Sequence, residues 1–236
     1  MFFRRNKEPK PSPYSRLKEA EKLSDLNKEE FKTYAREYLQ SEKWKIRNVG
    51  VKLVGMLGFR EMIPELIKML TDRTPDKFLN RLFGGDFVQV GFIRRNCIRS
   101  LVALKESNRA IREALYKALD DPYWEVRAEA VNAITKLFSK ENLSDIEKKL
   151  IELLCDKKFE VILFTVESLG LIARDTGVLK HLRKLYFHPN QKVRLMLVKT
   201  LHNLFDRGII PDKKDLTNEL NQIFIPVSMK NYLEAG

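Results

Sequence analysis

The sequence predicts an all-α fold of about five stacked helical hairpins with extra helices at its ends, and three observations carry that expectation. A short segment recurs five times, as KIRNVGVKLVGML, FIRRNCIRSLVAL, EVRAEAVNAITKL, EVILFTVESLGLI and KVRLMLVKTLHNL. Take Ile46, Ile93, Val126, Val161 and Val193 as the reference position of each copy. Mostly small residues then stand four places on, and apolar residues eight and eleven places on, which is one stripe of an α-helix. The copies follow at intervals of 47, 33, 35 and 32 residues, the period of helical repeats that bury their faces against one another.

Taken in order, residues 1–13 hold three prolines and many charges and read as a flexible basic arm. Its Met1-Phe2-Phe3-Arg4-Arg5 tip would give at most weak contact with an anionic membrane surface. A helix over Tyr14–Leu23 and a second one, capped by Ser24 or Asn27 and running to about Leu39, come next. Each repeat then comprises an outer helix A, a short turn and an inner helix B bearing the recurrent segment. The A helices are expected near 28–40, 61–71, 108–119, 144–155 and 178–187. The B helices are expected near 43–58, 91–105, 123–138, 158–173 and 190–206. The turns include SEK, DDPYW, CDKKF and HPNQ. Pro122 and Pro189 suit helix starts, and Gly58, Gly177 and Gly208 suit helix ends. A final A-type helix over 213–225 has no B partner, and 226–236 form a tail. The expected domain is therefore one array over 14–225, with an insertion at about 71–90. That insertion carries Phe78, Leu82, Phe83 and Phe87, too apolar for a solvated linker, so it reads as a cover over the first seam or as a partner-binding flap.

The run Asp121-Pro122-x-x-Glu125-Val126-Arg127-x-x-Ala130-x-x-Ala133-Ile134 resembles the consensus of HEAT repeats, as do His188-Pro189-Asn190 with Val193-Arg194. The resemblance covers roughly 28–206. It implies antiparallel helix pairs stacked into a right-handed α-α superhelix, an α-solenoid, and it says little of function, since the family spans transporters, scaffolds, lyases and DNA glycosylases. The fourth copy departs from the pattern by carrying Ile162 where the others have arginine.

The net charge is +12, from 44 basic and 32 acidic residues. That excess fits either a charged solvated surface or an anion-binding face. No apolar run approaches the ~20 residues that cross a bilayer. The two cysteines, Cys97 in a core column and Cys155 near the end of an A helix, read as buried reduced thiols, and a cytoplasmic location follows as the expectation. His181, His188 and His202 lack metal-ligand spacing, and Gly84-Gly85 lacks the frame of a phosphate loop. No cofactor, metal or catalytic residue is expected.

Arg47, Arg94, Arg127 and Arg194 share one column, where pairing with turn aspartates such as Asp121 is the expected role. Trp44, Trp124 and Phe159 share another, expected to staple turn to helix. The face of the B helices should carry Lys52, Arg95, Arg99, Asn132, Leu163, Glu167, Leu195 and Lys199. With Arg94 and without Glu167, these make the candidate partner-binding set. The cluster Arg94, Arg95 and Arg99 is the candidate contact for an anion or acidic peptide. Because Glu167 breaks the basic column and Leu163 and Leu195 are apolar, a protein segment fits this face better than a nucleic acid. The expectation is a non-catalytic protein-binding scaffold, with a nucleic-acid-binding solenoid as the alternative.

Overall fold

The computed structural model describes residues 12–21, 28–72, 86–141 and 143–224. Among these are twelve α-helices and no strand. In chain order they are α1 Pro13–Ala20, α2 Lys28–Leu39, α3 Trp44–Leu57, α4 Ile63–Met69, α5 Asp86–Leu104 and α6 Arg109–Ala118. There follow α7 Trp124–Phe138, α8 Ser144–Leu153, α9 Phe159–Ile172, α10 Leu179–Leu182, α11 Gln191–Asp206 and α12 Lys213–Gln222. The B helices α3, α7, α9 and α11 match the expected spans to within one residue at each end. The second B helix differs: α5 starts at Asp86, so the last part of the expected insertion is its first turn. Phe78, Leu82 and Phe83 lie outside the described residues, as does the side chain of Phe87. The tail 226–236 and the caps Ser24 and Asn27 lie outside them too.

The fold groups into two compact units, divided between Glu106 and Ser107. In the first, α2 packs on α3, α3 on α5, α4 on α5, and α1 on α3. In the second, the A helices α6 and α8 pack on α7 and α9, the B helices form the row α7–α9–α11, and α12 closes on α11. The recurrent stripe is the core of both. Ile93, Val126, Val161 and Val193 are fully buried, as are Val54, Leu101, Ile134, Leu169 and Leu201. Each such side chain is worth about 1.5–3 kcal/mol of burial. Ile46, Leu57 and Leu137 are only half-buried.

Local chemistry sets the ends. Ser12, Asn108, Asn190 and Asp212 each accept a backbone N–H of the helix they precede, which satisfies a donor that has no intrahelical partner. Gly58 ends α3 with φ of 74°, the left-handed conformation that glycine adopts without steric cost. Pro122 and Pro189 stand just ahead of the helix starts, one residue before the N-caps Tyr123 and Asn190. Their carbonyls have a different task, described next. Two expected A helices are broken: a 3-10 turn over Arg60–Met62 precedes α4, and α10 is flanked by 3-10 turns at Thr176–Val178 and Arg183–Leu185. Of the cysteines, Cys97 is buried but Cys155 is exposed, because the turn after α8 projects it outward.

The arginine column binds successive hairpins together. One nitrogen of each residue returns to its own turn: Arg47 to Ser41 O and Glu42 O, Arg127 to Asp121 O and Pro122 O, Arg194 to His188 O and Pro189 O. The other side reaches the next turn. Arg47 Nε meets Asp72 at 2.9 Å, and Arg127 grips Asp156 through two bonds of 2.7 and 2.8 Å. Arg194 instead donates to Phe224 O, just past α12, at 2.6 Å. Where Ile162 replaces arginine, the aspartate of the next turn is also absent and His188 stands in its place.

A second device fixes one B helix against the next. Seven places after the reference, a hydroxyl reaches across the seam. Ser100 Oγ donates to Val51 O at 2.8 Å and Thr200 Oγ1 to Val166 O at 3.0 Å. Ser168 shares a 2.7 Å bond with Thr135, which itself donates to Val131 O. Two places further on, Gly55 and Gly170 let the helices touch: a Cβ at Gly55 would lie 2.8 Å from Ser100 Cα, and one at Gly170 3.3 Å from Thr200 Cα.

Candidate functional site

With one helix stripe buried and another committed to the seam, a third side of each B helix is left outward. In the second unit this side runs through positions −1, +3, +6 and +10 from the reference. It presents Glu125, Glu129, Asn132 and Lys136 on α7, Glu160, Phe164, Glu167 and Leu171 on α9, and Lys192, Met196, Lys199 and Asn203 on α11; none of the twelve is buried. Leu163 and Leu195 edge the same stripe and are half-buried. Apolar side chains thus hold its middle. Charge surrounds them, and Lys199 Nζ joins Glu167 Oε1 at 2.7 Å across the α9–α11 seam.

In the first unit, Lys52 and Arg99 are exposed at the +6 position of α3 and α5, and Met56 is exposed at +10. Arg95 is half-buried, with its guanidinium 4.9 Å from the Phe92 ring. Asn96 donates to Asn48 at 2.7 Å between these helices. Arg94 is not at the surface as expected: it is fully buried, and its Nη1 donates to Asp72 O at 3.0 Å. It therefore serves the turn, as the column expectation had it for all four arginines. The structure brings Lys52, Arg95 and Arg99 together in one unit, and Asn132, Leu163, Leu195 and Lys199 together in the other.

The electrostatics are those of groups paired or buried within the fold. Burial raises the Asp156 carboxyl, but the Arg127 hydrogen bonds, the Lys158 N–H and nearby cations outweigh it and hold it below the usual aspartate value. Glu219 is held low chiefly by Arg183, which meets it at 2.5 and 3.2 Å, with Tyr186 Oη adding a 2.5 Å bond. Burial pushes the Cys97 thiol far up, so no thiolate nucleophile stands there. Among the described residues no group of three or more His, Cys, Asp or Glu is placed to hold a metal. A cavity of about 620 Å³ between α2, α3 and α4 is bounded by Arg47, Glu65, Lys68 and Asp72, and the Arg47–Asp72 pair of the ladder forms part of its wall. Among the described residues no helix is long and apolar enough to cross a membrane.

The HEAT-repeat family profile matches residues 111–140, a span that takes in most of α6, its turn and all of α7. Residues 111–140 are a HEAT repeat. Two engineered proteins solved by the Northeast Structural Genomics Consortium share the fold. One has a TM-score of 0.54 at 17% identity, covering 85% of this chain and 99% of the other. The second has 0.51 at 14%, covering 88% and 98%. The complex of CpcE and CpcF of phycocyanin lyase from Nostoc sp. PCC7120 aligns over 95% of this chain and 99% of that one, at 13% identity and a TM-score of 0.39, too low to bear on function. No curated protein matches the sequence.

Sequence reasoning missed three features of this helical array. The hydroxyl and glycine column at +7 and +9 was visible as recurring Ser, Thr and Gly, but its meaning depends on which helix lies opposite. Arg174 and Arg207 donate to carbonyls near the end of the preceding B helix, at Glu141 O, Gly170 O and Ala173 O. They lie just past the recurrent segment, where no alignment drew attention to them. Phe164, Leu171 and Met196 share the outward stripe with the expected leucines, and only burial distinguishes them from core.

Proposed function

We propose that this HEAT-repeat protein is a non-catalytic, cytoplasmic scaffold or adaptor that docks a protein segment on the outward stripe of its B helices. The observation that carries the reading is the stripe of α9 and α11, where Phe164, Leu171 and Met196, edged by Leu163 and Leu195, lie among Glu160, Glu167, Lys192 and Lys199. Apolar anchors ringed by charge are what a protein interface needs. A polyanion would need a continuous cationic track instead. Here four carboxylates, Glu125, Glu129, Glu160 and Glu167, share the stripe with three lysines. In the first unit, Lys52, Arg95 and Arg99 would supply charged contacts of the same kind.

The test is selection of peptides from a random display library on the full chain, followed by titration against Leu171→Arg and Leu195→Glu. Enriched peptides should carry spaced apolar residues and lose at least about tenfold in affinity for either variant, while the variants keep the parent helicity. Peptides bound equally well by parent and variants would remove this stripe as the site. Salt-steep binding of DNA or RNA, abolished by Arg95→Ala with Arg99→Ala, would establish the nucleic-acid alternative.

A further inference from the structure

We propose that the end of the second unit docks on an anionic membrane surface through Phe187, Phe224, Lys180 and Lys184. Phe187 is 76% exposed and Phe224 57%, the two most exposed large apolar side chains among the described residues. They are neighbours, since Phe224 N donates to Tyr186 O at 3.2 Å, and the Arg194 guanidinium lies 5.5 Å from the Phe224 ring. Packing does not require an aromatic at 187. The same turn position is Gln40, Asp120 and Cys155 in three other hairpins, and all of those turns close.

Cations stand on the same stretch of chain as Phe187. Lys180 on α10, Lys184 in the 3-10 turn after it and Phe187 just past that turn are all exposed. Burial lowers the His181 pKa, and both lysines lower it further, which places their positive charge on this end of the unit. Glu219, the carboxylate that α12 brings here, is buried and bound by Arg183 and Tyr186, so its charge is already matched by another residue. A projecting phenyl ring without a polar handle, beside flexible ammonium groups, matches the boundary between lipid acyl chains and phosphate headgroups. A protein hot spot instead tends to sit in a well-packed pocket.

The experiment is flotation of the full chain with phosphatidylcholine vesicles, with and without about one-third phosphatidylserine, at low and moderate salt. The chain should float with the anionic vesicles and about tenfold less with neutral ones. Phe187→Ser with Phe224→Ser should cut partitioning by about tenfold or more, and Lys180→Gln with Lys184→Gln by about tenfold with a flatter salt response. Unchanged helicity and melting temperature would show that both variants fold. The proposal is overturned if the parent chain does not float, or if the phenylalanine variant floats as well as the parent. It also falls if sedimentation reveals a dimer that Phe187→Ser dissociates, because a second copy then owns the patch. Capture of an acidic, apolar peptide that the phenylalanine variant loses, without vesicle binding, would assign the patch to a protein.

Discussion

Replacing Arg127 by methionine tests whether the turn ladder stabilises the array or only decorates it. Arg127 is 15% exposed and Asp156 6%, so the pair is nearly out of water. The guanidinium makes two bonds to the carboxylate and two to turn carbonyls. Removing one partner of such a pair strands the other, and for buried pairs that costs about 3–5 kcal/mol. Asp156 keeps the Lys158 N–H, which places the expected loss at the low end, about 3 kcal/mol. Asp156→Asn should cost about 2 kcal/mol, since an amide can still accept from Arg127. Together, Arg127→Met and Asp156→Asn should cost less than the sum, leaving a coupling of about 1.5–3 kcal/mol. Urea titration followed by far-UV circular dichroism supplies the energies, and hydrogen exchange of peptides spanning 120–160 localises the loss. A cost below about 1 kcal/mol for Arg127→Met, or strict additivity, would refute the reasoning. The chain contains its own control. Ile162→Arg puts a charge where the next turn offers His188, and should cost about 2–4 kcal/mol; adding His188→Asp should recover at least half of it.

Gly55→Ala should destabilise the first unit by about 1–3 kcal/mol in the same urea assay, because the new methyl meets the Cα of Ser100 at 2.8 Å. Gly170→Ala should be close to neutral, since its contacts begin at 3.1 Å and alanine gains about 1 kcal/mol of helix propensity; equal losses at the two sites would count against the seam. Arg207→Met, read by thermal melting at fixed ionic strength, should lower stability by about 1 kcal/mol through the uncapped carbonyls of Gly170 and Ala173. Asp156 and Glu219 both titrate below their ordinary values in the fold. Their stabilisation is therefore present above about pH 4 and lost as pH falls through the lowered folded values. Urea midpoints should drop on acidification in that window, and the drop should shrink in Arg127→Met.

How far the sequence reaches depends on whether a feature repeats. Four of the five B helices are legible almost to the residue because five copies align on one buried stripe, and the fifth differs only where α5 extends back to Asp86. The A helices carry no such signature, and the two that were misjudged, around α4 and α10, are those interrupted by 3-10 turns. The arginine column was legible as a ladder because Asp121 and Asp156 recur beside it. The burial of Arg94 was not, because adjacent arginines in one sequence look alike until the helix is rotated against its neighbours.

The sequence by itself determined the all-helical class, the hairpin register, the stripe that would be buried and the loss of the turn arginine at Ile162. These follow from periodicity, which is a property of a single helix. The tertiary structure alone decided which helix faces are shared between repeats and which remain outward. It turned Ser100 and Thr200 into cross-seam donors, paired Ser168 with Thr135, and withdrew Arg94 from the surface. It left Phe164, Leu171 and Met196 outward on the B-helix stripe, and Phe187 and Phe224 outward at the end of the second unit. The physical reason is that exposure is set by what packs opposite a residue, and that neighbour lies some 30 to 50 positions away along the chain.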